Sequence, residues 1–454
     1  MAAQAMSQML QFYFAQIDRD YYTISHTVSG LVTASFFITE LSGSPILGAL
    51  SDRLGRKKFI ILGPVFGAIA VQLTAMTVAI WLLVVTRLLE GLSTASSIPA
   101  TLGYISEATT GRPVLRARII GLFEITFIGG IAAGAVLGGY LWKFFGKPAT
   151  VVGLHLASPA FAMNGLIYVL SLAIFAMGLV EVVRGDDSAA LSAAKPGQAS
   201  VLASFGDASP RQPALQSLID SVRQSFADQG KLGRYLSVLK SPPVLSFVPA
   251  WLAINSIIGM WINHSPRLLT GKDHSPHQLL MGAYGPVKFG NGYAALAVAF
   301  ALGVLAWSSF IGQYRKTTVM LVATGGLFLT LTVLFSLNHG GIASVSAYYP
   351  LLSGLIAGLL IMSGFTPAAL TYLADVTEGH VDDRGSIMGL YTVFLGLGQV
   401  VGTAIGGFFA TWNGIDGLIL LSGLFGFITI VTLIHLRSHE GVLLNRASSP
   451  IQPA

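Results

Sequence analysis

Stretches of about 20 apolar residues, each long enough to cross a hydrocarbon layer of roughly 30 Å as a helix, recur along this chain and constrain it more than any other feature. They read as spans at 2–16, 27–50, 59–77, 79–104, 119–141, 161–183, 244–264, 291–312, 318–338, 348–375, 386–411 and 415–436. Only 10% of the 454 residues are charged and the mean hydropathy is +0.70, whereas a soluble domain carries roughly 25% charged residues. Lipid is the solvent for most of such a chain, and a backbone immersed in lipid has to satisfy its own hydrogen bonds, as a helix does. The expected fold class is an all-α membrane protein. The chain has no cysteine, which excludes disulfides, thiolate catalysis and Cys-ligated metal or iron–sulfur sites.

The net charge of +6 would suit a nucleic acid if the basic residues shared one surface. They fall between the apolar stretches instead, so no nucleic-acid partner is expected and topology accounts for them. With the 51–58 loop inside, 19 Lys and Arg lie on the cytoplasmic side and six, Arg19, Lys143, Lys147, Arg267, Lys272 and Lys288, on the other. That excess places both termini in the cytoplasm of a multi-pass protein of the cytoplasmic (plasma or inner) membrane. Only Arg87 then lies within a span. The first span is short, with about 16 residues and roughly 24 Å of helix and no basic leader. It raises the expectation of a start placed too late and a truncated first helix. Residues 184–240 are polar and rich in Ser, Ala, Asp and Gln, and read as a cytoplasmic linker between bundles at 1–183 and 241–436, with a cytoplasmic tail at 437–454. Within the linker, Leu215, Leu218, Ile219, Val222 and Phe226 have the spacing of one amphipathic helix that would lie on the membrane surface.

Residues 99–139 overlay residues 367–407 without a gap. Pro99 meets Pro367, Tyr104 meets Tyr372, Glu107 meets Asp375, Thr109 meets Thr377 and Arg116 meets Arg384. Gly130, Gly134, Gly138 and Gly139 then align with Gly398, Gly402, Gly406 and Gly407. Two unrelated apolar helices would not also share an acid, a base and four glycines. Corresponding spans run in the same direction, so the chain is a parallel repeat of six spans and six, an arrangement that holds a substrate between its halves.

Between the second and third spans stands Gly48-Ala-Leu-Ser-Asp52-Arg53-Leu-Gly55-Arg56-Lys57-Lys58. It resembles the signature G-x-L-a-D-R-x-G-R-k-k of the major facilitator superfamily, and the resemblance covers nearly the whole chain. It implies that fold, about 12 transmembrane helices in two six-helix pseudo-repeats, and a charge cluster of Asp52, Arg56 and Glu107 that latches the outward-facing state, with Asp375 and Arg384 as the second half's counterpart. Arg87-Leu-Leu-Glu90-Gly91 resembles the family's fourth-helix motif R-x-x-q-G, with Glu where glutamine is usual. The run Gly121-x8-Gly130-x3-Gly134-Ala135-x2-Gly138-Gly139 has the spacing of the fifth-helix motif of the family's proton-coupled antiporters, with alanine in place of proline. Glycines so spaced also permit tight helix packing with no part in transport.

Arg87 and Glu90, three residues apart, share one helix face, and their alignment partners, Leu355 and Gly358, carry no charge. A charge near the bilayer centre costs roughly 2.5–3.5 kcal/mol on insertion scales, so such residues face a partner or a watery cavity. Glu40 and Glu124 also fall inside spans. A carboxyl group in low dielectric exchanges protons as its surroundings change, so Glu40, Arg87, Glu90 and Glu124 are the candidates for proton or substrate coupling. An internal ion pair for the first two, and helix–helix hydrogen bonds for the other acids, remain the alternatives. His264, His274 and His277 between spans seven and eight lack the helical spacing of a metal-ligand pair, and no metal is expected. No phosphate loop is present. The leading reading is a monomeric secondary transporter of a small molecule, proton-coupled and outward, with no cofactor besides the proton. An uptake symporter or facilitator is an alternative, as is a non-transporting sensor. An enzyme is not expected, since no nucleophile and base are paired.

Overall fold

The computed structural model describes residues 1–109, 112–151, 153–179, 242–271, 275, 277–311, 313–340, 345–376 and 384–447. The first half forms α1 (Ala2–Asp20), α2 (His26–Leu54), α3 (Arg56–Met76), α4 (Ile80–Ala108), α5 (Pro113–Phe145) and α6 (Pro159–Gly178). The second forms α7 (Pro242–Thr270), α8 (Pro286–Ser308), α9 (Lys316–His339), α10 (Val345–Met362), α11 (Phe365–Val376) and α12 (Arg384–Ala447). The helices α10 and α11 are two pieces of one pass. They part at Ser363–Gly364, where the Trp307 indole of α8 packs on Gly364 and donates its Nε1–H to the Leu360 carbonyl at 2.9 Å. α12 reverses at Asn413–Gly414, with φ of 56° at Gly414, so its two limbs are separate passes. The described helices are thus ordered as six and six. Nine segments of the described residues are long and apolar enough to cross a membrane, and the protein is an integral, multi-pass membrane protein.

The linker and its amphipathic spacing, residues 215–226 included, lie outside the described residues, as do Lys272, His274 and Thr377. The helices generally outrun the spans read from hydropathy, because polar residues at their ends keep helical geometry beyond the hydrocarbon. α1 continues to Asp20 and has 19 residues, about 28 Å at 1.5 Å per residue. Each entry is set locally. Ser25 caps α2 by accepting from the Val28 N–H at 3.2 Å, and prolines open α5, α6 and α8 where no N–H is needed. One strand pair interrupts the all-helical expectation: β1 (Ala149–Val151) and β2 (Leu154–Leu156) form an antiparallel hairpin before α6, with Ala149 opposite Leu156.

Each half has its own apolar core. α1 buries Met6, Leu10, Phe14 and Ile17 against Val71 of α3, Leu83 of α4 and Phe161 of α6. α7 buries Phe247, Trp251 and Ile254 against Met320 of α9, Phe365 of α11 and Leu433 of α12. Large side chains such as Leu122, Ile125, Leu302, Leu305, Phe427 and Val431 stand exposed on the outside of the bundle, as a surface facing lipid should.

Candidate functional site

Arg87 and Glu90 lie on the face of α4 turned into the first half's own bundle. They are 2% and 1% exposed, and Arg87 Nη1 bonds Glu90 Oε2. The guanidinium lies over the Phe36 ring of α2, 5.0 Å from its centroid, a contact that strengthens once water is excluded. Gly91 brings α2 close, since a Cβ there would stand 2.9 Å from Thr39 Cβ and 3.2 Å from Glu40 N. Tyr168 of α6 is buried beside both charges. The pair is buried within the first half, with Arg87 Nε and Glu90 Oε1 left without a hydrogen-bond partner among the described residues.

Glu40 is placed differently. On α2, Leu31, Ile38 and Ser42 are exposed on one side, and at 100° per residue the opposite stripe is Ser29, Thr33, Phe37, Glu40 and Ser44. This stripe faces the interior. Thr33 accepts from Gln11 Nε2 of α1 at 3.0 Å, and Ser29 accepts from Arg267 of α7 at 3.1 Å. Glu40 is half-buried two turns beyond Thr33, and no hydrogen bond or ion pair to its carboxylate is present among the described residues. It is a carboxyl within a membrane-spanning helix, on the stripe that faces the interior. The Glu124 side chain lies outside the described residues.

At the far end of α2 the charge cluster assembles. Arg56 bonds Asp52, its Nε reaches Glu107 Oε1 at 3.1 Å and its Nη1 reaches Ser51 Oγ at 3.1 Å. Gly55, with φ of 102°, makes the turn that brings Arg56 back over α4 and occupies a region other residues rarely adopt. Gly48 stacks on Pro99, where an added Cβ would be 3.2 Å from the proline Cβ. In the second half Asp375 pairs with Lys316 Nζ at 3.0 Å. The side chains of Arg53 and Arg384 are outside the described residues, and Lys57 forms no ion pair among those described.

The glycines of α5 and α12 show what the repeat is for. Gly134 and Gly138 press on the backbone of α1 at Met1 and Ala5, and their counterparts Gly402 and Gly406 press on α7 at Ser256 and Met260. The next glycine in each run crosses to the other half. A Cβ on Gly139 would be 2.6 Å from the Pro286 carbonyl of α8, and one on Gly407 would be 2.6 Å from the His26 carbonyl of α2. Gly130 meets the chain start at Met1, and the surroundings of Gly121 are outside the described residues. These crossings draw the halves together at the end carrying residues 20–25. Toward the other end, Leu41 still meets Gly396, while Ile46 to Ala49 are only half-buried. Gly402→Ala is expected to destabilise by about 1–3 kcal/mol or more, since its Cβ would stand 2.6 Å from Ser256 Cα and backbone cannot yield as a side chain can. Gly325, which nothing approaches within 4 Å, should tolerate alanine or gain from it. Thermal midpoints of the two purified variants give the comparison.

The model of the Major Facilitator Superfamily matches residues 1–361 and 276–453. The chain belongs to the major facilitator superfamily. Among curated relatives, Multidrug resistance protein 1 of Bacillus subtilis (strain 168) is 32% identical over 118 residues, covering 26% of this chain and 30% of that protein. The Arabinose-proton symporter of the same organism is 31% identical over 115 residues, covering 25% of this chain and 24% of that protein. The chain therefore aligns with less than a third of the length of either relative. The crystal structure of the nucleoside transporter NupG superposes with a TM-score of 0.63 at 12% identity over 96% of this chain and 98% of that one, a likeness of fold alone.

Set beside the family's signature loop, Lys316 was legible in principle. Just as Glu107 corresponds to Asp375, Arg56 at the start of α3 corresponds to Lys316 at the start of α9, but the second loop has lost the glycines and acid that mark the first. Two sequence expectations are corrected. Arg267 is not in an outer loop; it lies within α7, 2% exposed, so Arg87 does not stand alone inside the helices. His264, expected in an exposed loop, is fully buried in α7 with Nε2 2.8 Å from the Thr403 carbonyl. Hydropathy ended the span at residue 264 because His264, Ser265, Pro266 and Arg267 stand in succession, whereas the helix continues, with His264 bonding across to α12 and Arg267 to the start of α2 and the turn before it.

Proposed function

We propose that this protein is a proton-coupled secondary transporter that moves a small solute outward by alternating access, with Glu40 as the group that exchanges proton for substrate. One observation carries the reading: a carboxyl without a partner among the described residues faces the interior of two halves drawn together at one end. Fixed charge with no counter-ion in such a place is a site for a proton or for a substrate that displaces it. Arg87 and Glu90 neutralise one another and are assigned to holding α4 within the first half. The excess of Lys and Arg around the 51–58 loop assigns that end to the cytoplasm in this reading, so the end drawn together at residues 20–25 is the outer one. The likeness to Multidrug resistance protein 1 supports the outward direction.

Uptake with a proton is the second reading, favoured by the likeness to the Arabinose-proton symporter. Proteoliposomes with an imposed pH gradient separate the two, using tetraphenylphosphonium, L-arabinose and a nucleoside as probes. Solute moving against the proton flow, and stopping with a protonophore, supports exchange. Movement along the proton flow supports symport, and saturable binding with no flux in either direction overturns both in favour of a sensor.

A further inference from the structure

The register of the repeat pairs two of the contacts that cross between the halves at the closed end, where Thr27 also bonds Thr411 and the Gly407 carbonyl. Gly138 packs on Ala5 and Gly406 on Met260, so seven residues further along each helix Phe12 of α1 corresponds to Arg267 of α7. Gly139 packs on Pro286 and Gly407 on His26, so three residues on Phe289 of α8 corresponds to Ser29 of α2. These corresponding residues touch in both seams. Phe12 meets Phe289 edge to face, with ring centroids 6.1 Å apart and planes at 89°. Arg267 meets Ser29 and more: Nη1 donates to Ser29 Oγ at 3.1 Å and to the Ser25 carbonyl at 3.3 Å, and Nη2 donates to the Ile24 carbonyl at 2.5 Å. Asp18 Oδ2 stands 3.7 Å from the same guanidinium, and Asp18 Oδ1 accepts from the Ile24 N–H at 2.6 Å, fixing the turn that Arg267 holds. One turn earlier on α7, the His264 ring fills the gap between Gly30 and Gly407.

We propose that Arg267 is the latch of this end of the protein and that the Phe12–Phe289 contact is the seam about which it opens. The two seams occupy equivalent places and differ in kind. An aromatic edge can roll over a neighbouring ring with little loss, because dispersion has no fixed direction. A guanidinium fork engaged with two carbonyls, a hydroxyl and a carboxylate has to break directional, charge-assisted bonds together before the halves part. The polar seam therefore sets how often this end opens.

The chain has no cysteine, so introduced pairs report alone. Spin labels on Tyr21→Cys and Trp412→Cys, both exposed and on opposite halves at the closed end, are measured by pulsed electron resonance in nanodiscs. A second pair, Leu54→Cys and Tyr314→Cys, reports the other end. Arg267→Met is expected to raise the long-distance population of the first pair about tenfold and to shorten the second pair, with Arg267→Lys between it and the unsubstituted protein. If Arg267→Met does not fold, the combined Asp18→Asn and Ser29→Ala variant removes the counter-charge and the hydroxyl acceptor without emptying the buried space and should shift both pairs in the same sense. Unchanged distances in these variants, with opening produced instead by Phe12→Ala, overturn the proposal. The inference rests on the alternating-access reading for its purpose alone. Distances are taken without any solute, so a protein that moves nothing would still show the latch release.

Discussion

Glu40→Gln is expected to leave the protein folded and to hold its solute affinity at the low value of the protonated form, while abolishing the dependence of transport on a pH gradient. The substitution keeps the size of the side chain and removes the charge that has no partner among the described residues. If protons and solute compete for Glu40, apparent affinity in the unsubstituted protein falls as the pH is lowered, by up to tenfold per unit, because each proton bound occupies the site the solute needs. The glutamine variant carries no titrating group there, so its affinity should be flat with pH and its concentrative flux should fall by at least about 100-fold to the level of passive exchange. Binding titrations at several pH values and gradient-driven flux in proteoliposomes check the two halves of this result. A glutamine variant that still concentrates solute would remove Glu40 from the mechanism.

The second large effect belongs to the buried pair. Glu90→Gln strips the counter-charge from a guanidinium that is 2% exposed and leaves Arg87 Nη1 with a neutral partner in place of an ionic one. Breaking one member of a buried pair costs about 3–5 kcal/mol, because an uncompensated charge stays in low dielectric. The single variant should therefore show a large drop in thermal midpoint or fail to accumulate. Replacing both residues, as Arg87→Met with Glu90→Leu, removes the charges together and should recover most of that loss. It should also keep pH-driven flux, since the pair faces the interior of one half. A stable double variant that has lost coupling would show that the pair takes part in transport.

What the sequence revealed was set by how locally each feature is encoded. The fold was legible because lipid admits so few backbone solutions, and the repeat because an acid, a base and four glycines recur in register. The signature loop and the repeat together announced the Asp52–Arg56–Glu107 cluster, since Asp52 and Arg56 sit in one contiguous motif and Glu107 recurs in register with Asp375. Burial was harder to read. Arg87 and Glu40 look alike in a hydropathy plot, as charges within apolar spans, and only the packing of α2 on α4 separates the enclosed pair from the unpartnered acid facing the interior. Arg267 and His264 were missed because a polar run at the end of an apolar stretch reads as a loop, and the carbonyls of residues 24, 25 and 403 that accept from them lie far away in the chain. The hairpin at 149–156 has strands of three residues each, too short for their alternation to stand out in the sequence, so it emerges only from the geometry of the loop.

Competition between proton and solute at one carboxyl is the step on which coupling depends. Protein purified in weakly buffered detergent with a pH dye, given tetraphenylphosphonium, L-arabinose and a nucleoside in turn, should release protons on adding the solute it recognises. The Glu40→Gln variant should release none, and should bind that solute no more tightly than the unsubstituted protein does at low pH. Saturable binding with no proton released by the unsubstituted protein, or undiminished release from the Glu40→Gln variant, would contradict the assignment.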